Sequence, residues 1–203
     1  MIEVSSPQPP ARRFLIVHGV QHRRPRQHWL WWLTETLRQQ GEQVLYLQFP
    51  TPEQPSRRDW LDLLHAELAQ LGNRERVVVC HSLGCTLWLH AAQTLPADLR
   101  VTRVLLVSPL GEQAFTAANG NQEFTPQHVD RDLLAAASTR PPHVVASATD
   151  PYAPADPHAW SSALGDVLPN AGHITPADGY GRWPAALAWC LREQTPVSAT
   201  GGP

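Results

Sequence analysis

Val77-Val78-Val79-Cys80-His81-Ser82-Leu83-Gly84-Cys85 is the stretch that decides the fold. A short unbroken apolar run meets a serine among small residues, and amphipathic sequence of helical period continues to Leu95. The reading is strand, tight turn, helix. It approximates G-x-S-x-G, in which a sharp turn lifts a serine Oγ out of the sheet edge. Bulk two residues before or after that serine would strike neighbouring backbone. Gly84 meets the second requirement, and Cys80 stands where glycine is usual, a departure by a small side chain.

Outward from this turn, similar apolar runs occur at Phe14–Val17, Val44–Phe49, Val104–Val107 and Val144–Ser147, with a weaker one at Asp166–Leu168. Continuous rather than alternating runs are the pattern of parallel strands buried on both faces. Helical spacing fills the intervals at His28–Gln40, Arg58–Leu71, Leu83–Leu95 and Trp183–Glu193, and a further helix is expected near Val129–Ala137. Alternation of this kind predicts an α/β domain over 13–195, with a mostly parallel sheet of about six strands and helices on both faces. Residues 1–12 and 196–203 are polar and Pro- or Gly-rich, and read as mobile ends. The polar stretch within Leu110–Arg140 is a candidate minimal lid, with a turn at Asn119-Gly120-Asn121.

Composition narrows the chemistry. All 16 cationic residues of the 203 are Arg, so functions that require a lysine amine (P-loop, Schiff-base and pyridoxal-phosphate enzymes) are excluded. A net charge of −2 gives no electrostatic reason to expect nucleic acid or an anionic membrane as partner. Cys80, Cys85 and Cys190 match neither a zinc ribbon nor a redox pair, and read as reduced, buried thiols of a cytoplasmic protein. His18 and His22 are four apart, but no HExxH accompanies them and a metal site there is not expected.

A serine nucleophile needs a base, and the base needs an orienting acid. Asp150 follows the strand Val144–Ser147 and precedes Pro151; His173 lies in the loop after Asp166–Leu168. The order Ser, Asp, His is that of α/β hydrolases, and each residue follows a strand end, where open α/β sheets bind ligands. Asp156 is the alternative acid. The Leu83 N–H at the helix start is one expected oxyanion donor; the Val20 N–H is the first choice for the other and Gln21 the alternative. Simpler readings also exist: Ser82 as a helix cap, Asp150 as a turn residue before proline, His173 as a surface histidine. Gln21 and Trp29 are candidate pocket residues, and Arg23, Arg24 and Arg26 lie in sequence near the expected mouth. His18 is expected to hold the oxyanion loop, and His81 to pack beside the serine.

The chain also resembles the small serine hydrolases related to retinoblastoma-binding protein 9. The resemblance rests on Cys80-His81-Ser82-Leu83-Gly84-Cys85, Asp150-Pro151-Tyr152, Ala171-Gly172-His173-Ile174 and Gly179-Tyr180-Gly181-Arg182-Trp183-Pro184. It implies a compact α/β-hydrolase domain without a large cap, a triad at Ser82, Asp150 and His173, and no metal or organic cofactor. The expected substrate is an ester or amide with a small to medium acyl group. Acyl transfer by the same triad and a protein-binding role are the competing functions.

Overall fold

The structure, a computed structural model, describes residues 12–116, 121–126, 128–156, 160, 165–192 and 197. Six strands form one sheet: β1 (Arg12–Val17), β2 (Gln43–Tyr46), β3 (Glu75–His81), β4 (Arg103–Val107), β5 (His143–Ser147) and β6 (Gly165–Leu168). Their spatial order is β2-β1-β3-β4-β5-β6, and every pairing is parallel. A parallel pair needs a crossover, and the described residues form the α-helices α1 (Trp29–Gln39), α2 (Arg57–Gln70), α3 (Leu83–Thr94), α4 (Arg131–Ala136) and α5 (Pro184–Leu191).

Alternation along the central strands divides the core into two layers. Leu15, Val17, Val78, Cys80, Val104 and Leu106 face α2, α3 and α4. Phe14, Ile16, Val77, Val79, Leu105 and Val107 face α1 and α5. Both faces are apolar, so the strands read as continuous hydrophobic runs. Trp60 anchors α2 on the first layer: its ring stacks on Phe49 at 4.4 Å, and its indole N–H donates to the Pro50 carbonyl at 2.9 Å.

Helix starts follow local chemistry. Ser56 caps α2 by accepting from the Asp59 N–H, and Asp130 caps α4 by accepting from the Leu133 N–H. Between β4 and β5 the described residues form only 3-10 turns and the six-residue α4, so there is no large cap.

Several expectations change in detail. Of the run Val44–Phe49, β2 takes Val44–Tyr46, and beyond it the Leu47 N–H adds a bond to the Ile16 carbonyl at 3.1 Å. Arg12, placed in the N-terminal segment, begins β1. Val197, placed in the C-terminal tail, is buried and donates its N–H to Asp166 at 2.7 Å. Residues 1–11, 196, 198–203 and most of the expected turn at Asn119-Gly120 lie outside the described residues.

Candidate active site

β3 ends at His81, and the chain reverses at once into α3. Ser82 sits at that turn with φ +56° and ψ −125°, a strained conformation for a non-glycine residue. Its N–H donates to the Val107 carbonyl on β4 at 3.0 Å, which fixes the turn to the sheet. The packing also shows why the flanking residues are small. A Cβ on Gly84 would lie 2.7 Å from the Val17 carbonyl, and one on Gly19 would lie 2.8 Å from the Ser82 Cβ. Cys80 is tolerated because it belongs to the strand and points into the α2–α3 layer.

Ser82 does not cap α3 with its side chain. Its Oγ instead lies 2.9 Å from His173 Nε2, and His173 Nδ1 lies 2.8 Å from Asp150 Oδ2. The Asp150 side chain is 1% exposed and its other oxygen accepts the Tyr152 N–H at 2.9 Å. The three residues named from sequence thus come together in one hydrogen-bonded line. Asp156, the alternative acid, is exposed.

The loop carrying His173 is held by groups that sequence reading missed. Asp178 Oδ2 accepts from the His173 N–H (3.1 Å), the Thr175 N–H (3.0 Å) and the Thr175 hydroxyl (2.7 Å). The Asp178 carboxylate occupies the space where a Cβ on Gly172 would lie, and Gly172 itself has φ +53°. His81 Nε2 donates to the His173 carbonyl at 3.0 Å, and Trp29 Nε1 donates to the Ile174 carbonyl at 2.9 Å. Ile174 is held at φ +54°, unusual for a β-branched residue. Thr175-Pro176-Ala177-Asp178 is a capping box, and that spacing was the signal available in the sequence.

Trp29 therefore does not line the pocket. It is fully buried on the inner face of α1, edge-on to Trp183 at 5.0 Å, and acts through the His173 loop. The pocket is a cavity of about 600 Å³ whose walls include Val20, Gln21, His28, Ser82, Leu110, Asn121 and Tyr152. Leu110, Ala114 and Asn121 bring the β4–β5 segment to its edge. None of Arg23, Arg24 and Arg26 reaches it: Arg23 pairs with Glu53, Arg24 lies over the Tyr46 ring and Arg26 over Trp31. Gln21 lines the cavity, but its N–H donates to the Pro52 carbonyl at 2.7 Å and is not available to an oxyanion.

Five imidazoles run in ring-to-ring contact from His18, beside Gly19, to His173. The centroid separations are 4.8 Å for His18–His22, 4.7 Å for His22–His28, and 5.2 Å for both His28–His81 and His81–His173. Burial lowers His18 to about 4 and His28 to about 3, and pushes His22 and His81 far down as well. The backbone sets their tautomers. His18 Nδ1 donates to the Gly19 carbonyl at 2.7 Å and its Nε2 accepts the Phe49 N–H, so it braces the loop as expected. Cys80 and Cys85 are buried, and burial raises both thiols, so neither is a nucleophile near neutral pH.

Known proteins agree with this fold. The chain is 30% identical over 143 residues to YdeN of Bacillus subtilis, covering 70% of this chain and 73% of that one. The crystal structure of YdeN superposes with a TM-score of 0.76 at 26% identity, over 89% of this chain and 97% of that one. Est1E of Butyrivibrio proteoclasticus shares the fold alone, with a TM-score of 0.63 at 18% identity over 91% and 87% of the two chains. A family model described as serine hydrolase matches residues 14–191, and this chain, with its α/β-hydrolase fold, belongs to that serine hydrolase family.

Proposed function

We propose that the protein hydrolyses carboxylic esters or amides of small to medium size through an acyl-Ser82 intermediate. The observation that carries this reading is the line Ser82 Oγ–His173–Asp150, with separations of 2.9 and 2.8 Å, opening on a cavity. His173 Nε2 takes the Ser82 proton as Oγ attacks the carbonyl carbon, and returns it to the leaving group. Asp150, already accepting the Nδ1–H, fixes the tautomer and stabilises the imidazolium. Water then repeats the sequence on the acyl-enzyme and frees the acid.

The developing oxyanion is assigned to the N–H groups of Leu83 and Val20. Leu83 is the first residue of α3, so its N–H has no carbonyl one turn back to bond. Gly19 packs within 3.3 Å of that nitrogen if given a Cβ, which brings the loop leading to Val20 against it. The helix dipole adds to the field there. The three buried free thiols fit a reducing compartment such as the cytoplasm. Among the described residues no helix is long and apolar enough to cross a membrane.

A fluorophosphonate probe tests the assignment. Wild type is expected to become covalently labelled and to turn over p-nitrophenyl esters, and Ser82→Ala to do neither. Equal labelling of both would overturn it.

A further inference from the structure

The cavity wall contains a polar group that the triad does not use. His28 is 4% exposed and caps α1: its Nδ1 accepts the Leu30 N–H at 3.2 Å. A neutral imidazole with an accepting Nδ1 carries its proton on Nε2. No described residue takes up that Nε2–H, and the ring lines the cavity. The ring is held between His22 at 4.7 Å and His81 at 5.2 Å, with Trp29 tilted against it at 5.8 Å. His81 alone separates it from the ring of His173.

Resting on the Ser82 reading, we propose that His28 is a specificity-determining residue whose Nε2–H binds an uncharged acceptor oxygen of the substrate: an ether, hydroxyl or second carbonyl oxygen a few bonds from the scissile carbonyl. A donor fixed in position by a helix cap and by ring packing loses little entropy on binding. A substrate without the oxygen leaves the donor buried and unpaired, which is how polar pockets discriminate. Burial holds the ring neutral, with His18, His22, His81 and His173 as the titratable groups near it, so it offers a dipole rather than a charge. The groove is therefore suited to an oxygenated neutral chain more than to a carboxylate.

Two isosteric pairs test this. p-Nitrophenyl methoxyacetate and p-nitrophenyl butanoate differ by one ether oxygen in the acyl part. 2-Methoxyethyl butanoate and butyl butanoate differ by one in the leaving part. The kcat/KM ratio of ether to alkane is measured for wild type and for His28→Asn, which retains a helix-capping oxygen but is too short to carry a donor to the same place. Dividing the two ratios cancels intrinsic reactivity. A fall of about fivefold in one pair is expected, the size of one neutral hydrogen bond, and the pair affected identifies the side of the substrate. An unchanged ratio in both pairs would overturn the proposal.

Nitrogen-15 spectra of wild-type histidines provide a measurement independent of the variant and of turnover. The His28 ring is expected as the neutral Nε2–H tautomer from about pH 5.5 to 8, and its N–H signal is expected to move more with methoxyacetamide than with butanamide. An Nδ1–H tautomer or equal shifts would overturn the proposal. Loss of the Ser82 assignment alone would show instead as turnover that survives Ser82→Ala.

Discussion

Asp178 makes no hydrogen bond to the side chains of Ser82, Asp150 or His173, yet it holds the loop on which the proposed base His173 sits. One carboxylate oxygen gathers the N–H of His173 and both donors of Thr175. Replacing it by alanine leaves three donors to water and frees the loop. A misplacement of about 1 Å at a reacting group costs on the order of a hundredfold in rate. Asp178→Ala is therefore expected to lower kcat by about ten- to a hundredfold, and Asp178→Asn, which keeps an accepting oxygen, to recover part of it. Amide hydrogen exchange at residues 172–175 should quicken in the alanine variant; unchanged exchange alongside lost activity would refute a positioning role. Ser82, Asp150 and His173 were legible as candidates because each follows an apolar run and their order is restrictive. Asp178 was not, because its partners are mostly backbone N–H groups, which every residue has. Trp29 was misread for a similar reason: its neighbourhood in sequence is the oxyanion loop, but its helical face points to the core.

Among the elements, α2 has an influence beyond its own layer. Trp60 stacks on Phe49, whose N–H is held by His18 Nε2, while His18 Nδ1 holds the Gly19 carbonyl. The contact therefore connects a core helix to the loop that presents the Val20 N–H. Trp60→Ala removes a fully buried indole, and such changes cost about 3–5 kcal/mol. Urea unfolding should show that loss. Turnover measured well below the denaturation midpoint should fall too, because the oxyanion loop loses its backing; Trp60→Phe should retain more of both. Strand positions were readable from apolar runs, since burial on both faces leaves no polar alternation to confuse them. Strand ends were less readable. After Tyr46 only the Leu47 N–H still bonds to β1, at the Ile16 carbonyl, and Phe49 packs against Trp60 of α2 instead.

For the molecule as a whole, four buried histidines make stability depend on pH. Their folded-state values are depressed by burial, to about 3 and 4 for His28 and His18. The unfolded chain binds protons at these sites below about pH 6.5, while the folded chain does not. Stability is therefore full above that pH and is lost as pH falls toward 4, each such histidine contributing at most about 1.4 kcal/mol per pH unit within the window. Urea midpoints at pH 7, 6 and 5 should fall steeply. His22→Asn, which keeps an acceptor for the Arg24 N–H, should flatten the slope by about one proton.

The strand order has a kinetic corollary. Since every neighbour in β2-β1-β3-β4-β5-β6 is parallel, no hairpin can start the sheet, and each pairing waits on a long loop closure. Ser82 follows β3 in the interior, whereas Asp150 and His173 follow β5 and the edge strand β6. During refolding, the fluorescence change that reports burial of Trp60 and Trp88 can be complete while the serine still lacks its base. Reactivity toward the fluorophosphonate is then the last native property to return, and pulse labelling after dilution from urea should lag behind tryptophan fluorescence.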